Sequence, residues 1–135
     1  MDILRAGTQP SHRGASEHFS GGVWRKLIIE APSPARVRSG LAEFEPRART
    51  AWHTHPLGQT LYILSGIGLV QSWGGDPREV RAGDVVWIPP LEKHWHGASP
   101  TSTMSYIATQ EDLGGEHVTW LEHVTDEQYN RATRA

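Results

Sequence analysis

The sequence contains no cysteine among its 135 residues. Disulfide bonds, thiolate metal sites and cysteine nucleophiles are therefore excluded together. A metal ion bound by this chain has to take nitrogen and oxygen ligands from imidazole, carboxylate or amide groups. Because the chain has eight histidines, the absence of cysteine directs attention to the imidazoles.

Lysine is also scarce, since it occurs only at Lys26 and Lys93. The formal net charge is −2 and the pI is near 6.4. A protein that binds the phosphate backbone needs a cluster or stripe of basic residues, which this sequence lacks. We therefore expect no nucleic acid partner.

Long hydrophobic runs are missing as well. Hydrophobic residues make up 37% of the chain and charged residues 21%, without an apolar stretch long enough to span a membrane. Residues 1–14 lack the apolar run of roughly 7–15 residues that a secretory signal requires. We expect a cytoplasmic protein with no membrane partner. The length fits a single domain, residues 1–135, around one hydrophobic core.

Short β-branched and aromatic segments separated by turn residues predict an all-β fold. The expected strands are 23–29, 37–44, 50–55, 60–65, 68–73, 84–88, 93–98 and 102–110. Ser65-Gly66 and the segment 74–77 have the composition of hairpin turns, which favours an antiparallel sandwich or barrel. The spacing of Thr125 and Gln128 is that of a capping box and predicts a short C-terminal helix at the surface.

Two His-x-His pairs are the main chemical signal. His53 and His55 share one face of a predicted strand, and His94 and His96 share one face of a later strand. The turn after His55 brings Gln59 back towards the first pair, and its side-chain oxygen can act as a ligand. A single such pair is more often two half-exposed polar residues, but two pairs with Gln59 predict a metal site. His53, His55, Gln59 and His94 would leave one or two positions open for solvent or substrate.

The same residues carry a resemblance to a known family. The stretch from His53 through Gln59 to Gly66 resembles the first motif of the cupins, and the sequence GDVVWIP at 83–89 followed by His94 resembles the second. The resemblance implies a jelly-roll antiparallel β-barrel with a metal-binding core at about 46–96. Two positions depart from the family pattern, since Gln59 stands where glutamate is usual and Leu91 stands where glycine is usual.

More closely, the segments 51–60, 83–87, 92–97 and 122–129 are similar to those of the bacterial manganese-dependent cupin hydroxynitrile lyases. That resemblance implies a small-molecule substrate, either a cyanohydrin or an aldehyde with cyanide, and a divalent metal that acts as a Lewis acid. Manganese is the expected ion, and Fe²⁺, Zn²⁺, Ni²⁺ and Co²⁺ are alternatives. The competing functions are an iron-type cupin dioxygenase for a small organic substrate and a metal-binding cupin without turnover, because fold alone does not determine function.

Three further residues are candidates for catalysis. His96 lies one pleat beyond His94, and an ordinary imidazole pKa near 6.5 suits a general acid or base. His96 as a fourth metal ligand, or as a purely structural residue, are the alternatives. Tyr106 and Gln110 share a face of the last predicted strand and would offer polar groups to a substrate if that face points inward.

Other expectations concern the cavity wall, the remaining histidines and assembly. Gly40 and Ala42 share a face and would leave space near the metal, although small residues in a strand more often reflect tight packing. The remaining histidines are expected at the surface: His12, His18, His117 and His123. A barrel of this size buries a limited fraction of its surface, so a homodimer or homotetramer is expected.

Overall fold

The computed structural model describes residues 1–134, which form twelve strands and one helix. The strands are β1 (His12–Arg13), β2 (Phe19–Ser20), β3 (Val23–Glu30), β4 (Val37–Phe44), β5 (Arg49–Thr50), β6 (His53–Thr54), β7 (Gln59–Ser72), β8 (Arg78–Arg81), β9 (Val85–Ile88), β10 (His94–Ala98), β11 (Met104–Glu111) and β12 (Thr119–Trp120), and the helix is α1 (Asp126–Thr133). All strand pairings between these elements are antiparallel. The predicted antiparallel β-barrel with a short C-terminal helix is confirmed.

The strands form a curled sheet whose two walls share β7. The strand order is β1-β3-β4-β11-β7-β10-β5-β2, and β6 joins β10 while β8 and β9 join β7. The first half of β7 pairs with β11 and β9, and its second half pairs with β10 and β8. One long strand therefore connects the first wall (β1, β3, β4, β11, β9) to the second wall (β2, β5, β6, β8, β10, β12).

The predicted hairpin turn at Ser65-Gly66 is wrong. The segments 60–65 and 68–73 are two halves of β7, and the chain bends at Gly66 without reversing. Gly66 has φ of 77°, and a Cβ atom at this position would collide with the carbonyl oxygen of Thr103. Glycine is therefore required here, because the backbone bends in the left-handed region and a neighbouring chain segment lies too close for a side chain. The turn predicted at 74–77 is confirmed, because it joins the antiparallel strands β7 and β8.

The other predicted strands are found with small shifts at their ends, except that 50–55 is divided. Ala51 and Trp52 interrupt it, so that β5 pairs with the end of β10 near Gly97 and β6 pairs with its beginning at His94. The short strands β1, β2, β8 and β12 were not predicted. Each has only two to four residues, which is too short for a periodic pattern to be read.

The helix covers the outer face of the second wall. Thr125 and Gln128 form the predicted capping box at its first turn. Tyr129 and Ala132 are buried against Trp95, which points away from the barrel interior. The helix thus lies at the surface, with one side packed against the barrel. Because both faces of β10 are covered, all five of its residues are buried.

Residues 1–134 include no helix that is long and apolar enough to cross a membrane.

Candidate metal centre

Four imidazole rings meet inside the barrel at the junction of β6 and β10. His53 and His94 are directly paired across these strands, and their ring centroids lie 4.1 Å apart. His96 follows His94 on the same face of β10, with its ring 5.2 Å from that of His53. The ring of His55 lies 5.0 Å from that of His53 and 5.4 Å from that of His94. The two sequence pairs thus form one cluster.

Three of the rings are held in the same way. In each, Nδ1 lies 2.7–2.8 Å from a backbone carbonyl oxygen, and the pairs are His53 with Ala51, His55 with His117, and His94 with Glu92. A carbonyl oxygen can only accept, so Nδ1 carries the proton and the lone pair is on Nε2. Such a bond to the remote nitrogen is the usual arrangement of a metal-binding histidine, because it fixes both tautomer and ring orientation.

Gln59 is oriented by a second glutamine. Its Nε2 donates to Oε1 of Gln110 at 2.9 Å, and Nε2 of Gln110 donates to the backbone oxygen of Arg38 at 3.3 Å. This chain of amides fixes which atom of Gln59 is its oxygen and leaves that oxygen without a hydrogen bond. Gln110, expected as a catalytic residue, lines the cavity and holds Gln59 in place.

His96 differs from the other three rings in its partner. Its Nδ1 lies 3.0 Å from the hydroxyl of Tyr106, which is buried on β11. A hydroxyl can donate or accept, so this contact is compatible with a proton on either nitrogen of His96. Tyr106, Ala108 and Gln110 all line the cavity, so the face of the last strand that they share points inward.

Unpaired buried atoms identify the position where a cation fits. Within the described chain, four buried atoms of the cluster lack a hydrogen-bond partner: Nε2 of His55, His94 and His96, and Oε1 of Gln59. The potential ligand atoms of His53, His94 and His96 lie within 4.8 Å of one another. Leaving such groups unpaired is costly unless another ligand takes them up. Nitrogen and oxygen donors of this kind suit a divalent metal ion.

Burial keeps the histidines neutral. It lowers the pKa of His53 and His96 well below the ordinary imidazole value, and the neighbouring histidines add to the effect. Burial also lowers the pKa of His94 to about 4. Burial raises the pKa of Tyr106, against a smaller opposite effect of the positive charge of Arg25. At neutral pH the cluster therefore offers lone pairs, and Tyr106 keeps its proton.

His53, His55 and His96 of the cluster line a cavity of about 360 Å³ that extends to residues of β1 and β3. Gly40 and Ala42 line it, as expected for small residues that leave space beside the histidines. Its rim carries several cationic side chains, among them Arg25 and Arg38. This volume is in the usual range for a site that binds a small organic molecule.

Sequence reasoning did not identify Trp120 as part of the site, and His18 and His117, which were expected at the surface, are half-buried. Trp120 on β12 stacks its indole on the half-buried ring of His18 at 4.5 Å and lies tilted against the ring of His53 at 4.8 Å. His117 is half-buried, lines the cavity and provides the carbonyl that holds His55. His12 and His123 are exposed as predicted. These contacts join residues far apart in the chain, and no local spacing signals them.

Comparison with known proteins gives consistent matches. A family profile described as a cupin domain matches residues 40–109. An (R)-mandelonitrile lyase from Granulicella tundricola is 53% identical over 131 residues, which cover 97% of this chain and 100% of that protein. A dimethylsulfoniopropionate lyase from Ruegeria pomeroyi is 33% identical over 99 residues, which cover 72% of this chain and 59% of that protein.

A solved structure agrees over the full barrel. The crystal structure of a cupin-like protein from Thermotoga maritima is 37% identical, with a TM-score of 0.87, and the match covers 99% of this chain and 98% of that one. The strand arrangement described above is thus that of a solved protein.

Proposed function

The chain belongs to the cupin family, and on that premise we propose that it is a metal-dependent lyase that reversibly cleaves cyanohydrins into an aldehyde and cyanide. It is an enzyme that resembles the hydroxynitrile lyases, as the 53% identity over 97% of the chain to an (R)-mandelonitrile lyase demonstrates. The observation that supports a metal-dependent activity most directly is the set of buried, unpaired imidazole nitrogens together with the unpaired oxygen of Gln59, which lines the same cavity.

We assign His53, His55, Gln59 and His94 as the ligands of a divalent ion. The support is the common orientation of the three rings, each with Nδ1 bonded to a carbonyl, and the orientation of Gln59 by Gln110. When bound, the ion supplies Lewis acidity towards the substrate oxygen or cyanide. We propose Mn²⁺ as the native ion, by similarity to the manganese-dependent enzymes of this type, with Fe²⁺, Zn²⁺, Ni²⁺ and Co²⁺ as the alternatives to be compared.

We assign His96 as the proton carrier. In the cleavage direction, Nε2 of His96 accepts the hydroxyl proton of the cyanohydrin while the carbon–carbon bond breaks and its electron pair leaves with cyanide. The same nitrogen then returns the proton to cyanide, so that aldehyde and HCN are the products. The hydroxyl of Tyr106 supports both states, because its oxygen accepts from Nδ1–H in the neutral ring, whose lone pair is then on Nε2, and also in the charged ring.

Reconstitution of the purified protein tests the proposal. Metal-free protein is loaded separately with Mn²⁺, Fe²⁺, Zn²⁺, Ni²⁺ and Co²⁺, and benzaldehyde and cyanide released from racemic mandelonitrile are measured with and without oxygen. We expect the manganese form to release both products in equal amounts regardless of oxygen. Turnover that requires oxygen would favour the dioxygenase, and the absence of cyanide release from every loaded form would contradict a lyase.

A further inference from the structure

The charges that line the cavity are all of one sign. Among the described residues of the lining, four carry a permanent positive charge, namely Arg13, Arg25, Lys26 and Arg38, and none is an aspartate or glutamate. The whole chain has a formal net charge of −2. The cavity thus has a charge opposite to that of the molecule, and this polarity favours a negatively charged occupant.

Arg25 is the cation best placed to meet such an occupant. It lies on β3 with the same parity as the cavity residue Leu27, and its guanidinium carbon lies 5.2 Å from the ring centroid of Phe19 on β2. It therefore reaches from one end of the curled sheet to the other, over the cavity. Within residues 1–134 no carboxylate lies in ion-pair distance of Arg25, whereas Arg38 at the same rim is paired with Glu30 at 3.0 Å.

The metal centre increases the need for negative charge. All its assigned ligands are neutral imidazole or amide groups, so a divalent ion would keep both charges and add them to those of the rim. Cyanide can supply negative charge beside the ion, at the buried end of the cavity. Arg25 is exposed and the histidines are buried, so a group that Arg25 binds belongs to the part of the substrate remote from the reacting carbon.

We infer that Arg25 binds a carboxylate on the organic substrate, so that the site takes aldehydes and cyanohydrins carrying a negatively charged group. The inference rests on the proposed function and adds the substrate class. A guanidinium matches a carboxylate with two parallel hydrogen bonds, which a lysine cannot reproduce. The cavity of about 360 Å³ leaves room for such a substituent beyond the reacting carbon.

Binding of a matched pair of aldehydes tests this directly. Formylbenzoate and nitrobenzaldehyde, each as the 3- and 4-isomer, have substituents of the same planar shape, but only the carboxylate is charged. Dissociation constants for the metal-loaded protein are measured by calorimetry without cyanide, at low and high salt. We expect the better formylbenzoate isomer to bind about tenfold more tightly than its nitro counterpart, with the difference reduced at high salt.

Two substitutions separate recognition from structure. Arg25→Gln should abolish the preference for the carboxylate and leave nitrobenzaldehyde binding within about twofold. Arg81→Gln removes the same charge from a residue outside the cavity lining, paired with Glu79, and should keep the preference. Equal binding of both probes to the wild-type protein would overturn the inference. An equal loss of affinity for both probes in Arg25→Gln would also overturn it, because that result would indicate that Arg25 only stabilises the structure through its contact with Phe19.

The two proposals fail in different ways. Carboxylate-selective binding without cyanide release from any cyanohydrin would support the Arg25 subsite and contradict the proposed lyase activity. Efficient cleavage of mandelonitrile by a protein that shows no carboxylate preference would support the lyase activity and contradict the Arg25 subsite. An effect of Arg25→Gln confined to the KM of cyanide would also overturn the inference, because the anion at Arg25 would then be cyanide itself.

Discussion

The hydroxyl of Tyr106 lies 3.0 Å from Nδ1 of His96. Each of the other three rings of the cluster has a carbonyl oxygen at the corresponding nitrogen. A carbonyl oxygen can only accept and therefore keeps the proton on Nδ1, whereas a hydroxyl can pair with Nδ1 whether or not that nitrogen carries a proton. This difference separates a ring suited to proton transfer from rings suited to metal binding, although the ligand atoms of His96 lie within reach of the same ion.

The first prediction follows from that difference. His96→Ala should retain the metal and lose about 10²–10⁴-fold in the rate of cyanohydrin cleavage, the usual contribution of a positioned acid or base. Tyr106→Phe should retain the metal and show a smaller loss, because His96 then lacks its partner at Nδ1. Metal content by mass spectrometry and kcat are measured together. A parallel fall of occupancy and rate in His96→Ala would make His96 a ligand.

His94 provides the complementary prediction. Removing an imidazole from the shell should lower metal affinity more than the ~10–100-fold that loss of a supporting hydrogen bond costs. His94→Ala should therefore be isolated with little metal and little activity. His123→Ala, an exposed histidine outside the site, is the control and should keep both. Full metal occupancy of purified His94→Ala would refute the ligand assignment.

Gln59→Glu tests the role of a neutral oxygen ligand. A carboxylate in this position should still hold the metal but weaken anion binding by about fivefold or more, since one unit charge a few ångströms away is worth ~1 kcal/mol even at the dielectric of water. The inhibition constant of azide and the KM of cyanide report this effect. Gln128→Glu makes the same chemical change in the helix cap and should leave both constants unchanged. Unaltered azide inhibition in Gln59→Glu would contradict the charge argument.

The sequence allowed the strands and the histidine cluster to be predicted for a physical reason. Alternation along a strand places His53 with His55 and His94 with His96 whatever the rest of the fold does. The bend at Gly66 could not be distinguished from a turn, because both require a left-handed residue and only the pairing partners of β7 decide between them. Trp120 contacts His53 across strands distant in sequence, and Arg25 contacts Phe19 because β3 and β2, near opposite ends of the strand order, meet when the sheet closes. Such contacts follow from closure of the sheet and leave no local pattern.

Leu91 carries a prediction about stability. It has φ of 64° and is exposed, and its backbone N–H donates to the carbonyl oxygen of His55 at 2.9 Å. A left-handed conformation costs a residue with a Cβ atom ~1–2 kcal/mol, from which glycine is free. Leu91→Gly should therefore raise the free energy of unfolding by about 1 kcal/mol, measured by urea denaturation. Leu113→Gly, at an exposed leucine without positive φ, should lower it.

The outer face of the first wall leads to a prediction about assembly. Tyr62 and Val85 are paired neighbours there, and both are exposed, with Trp24, Leu64 and Trp87 exposed on the same wall. Several exposed apolar residues on one wall favour association through that wall. We expect a homodimer or homotetramer by light scattering at micromolar concentration. Tyr62→Glu should shift the protein towards monomer, whereas Leu121→Glu, an exposed leucine outside this face, should not. A monomeric wild-type protein would contradict the prediction.

The pairing of His53 with His94 across β6 and β10 also constrains the order in which the protein can assemble. The two rings are far apart in the chain and become neighbours only after β10 has joined both β6 and β7, which requires closing long loops. An ion has no preformed shell to occupy before that stage. In a zinc finger the metal is needed for the fold to form; here the barrel has to be nearly complete before it can collect its donors. A bound ion would then stabilise the protein only after the barrel has formed, so it would slow unfolding and have little influence on the rate of folding.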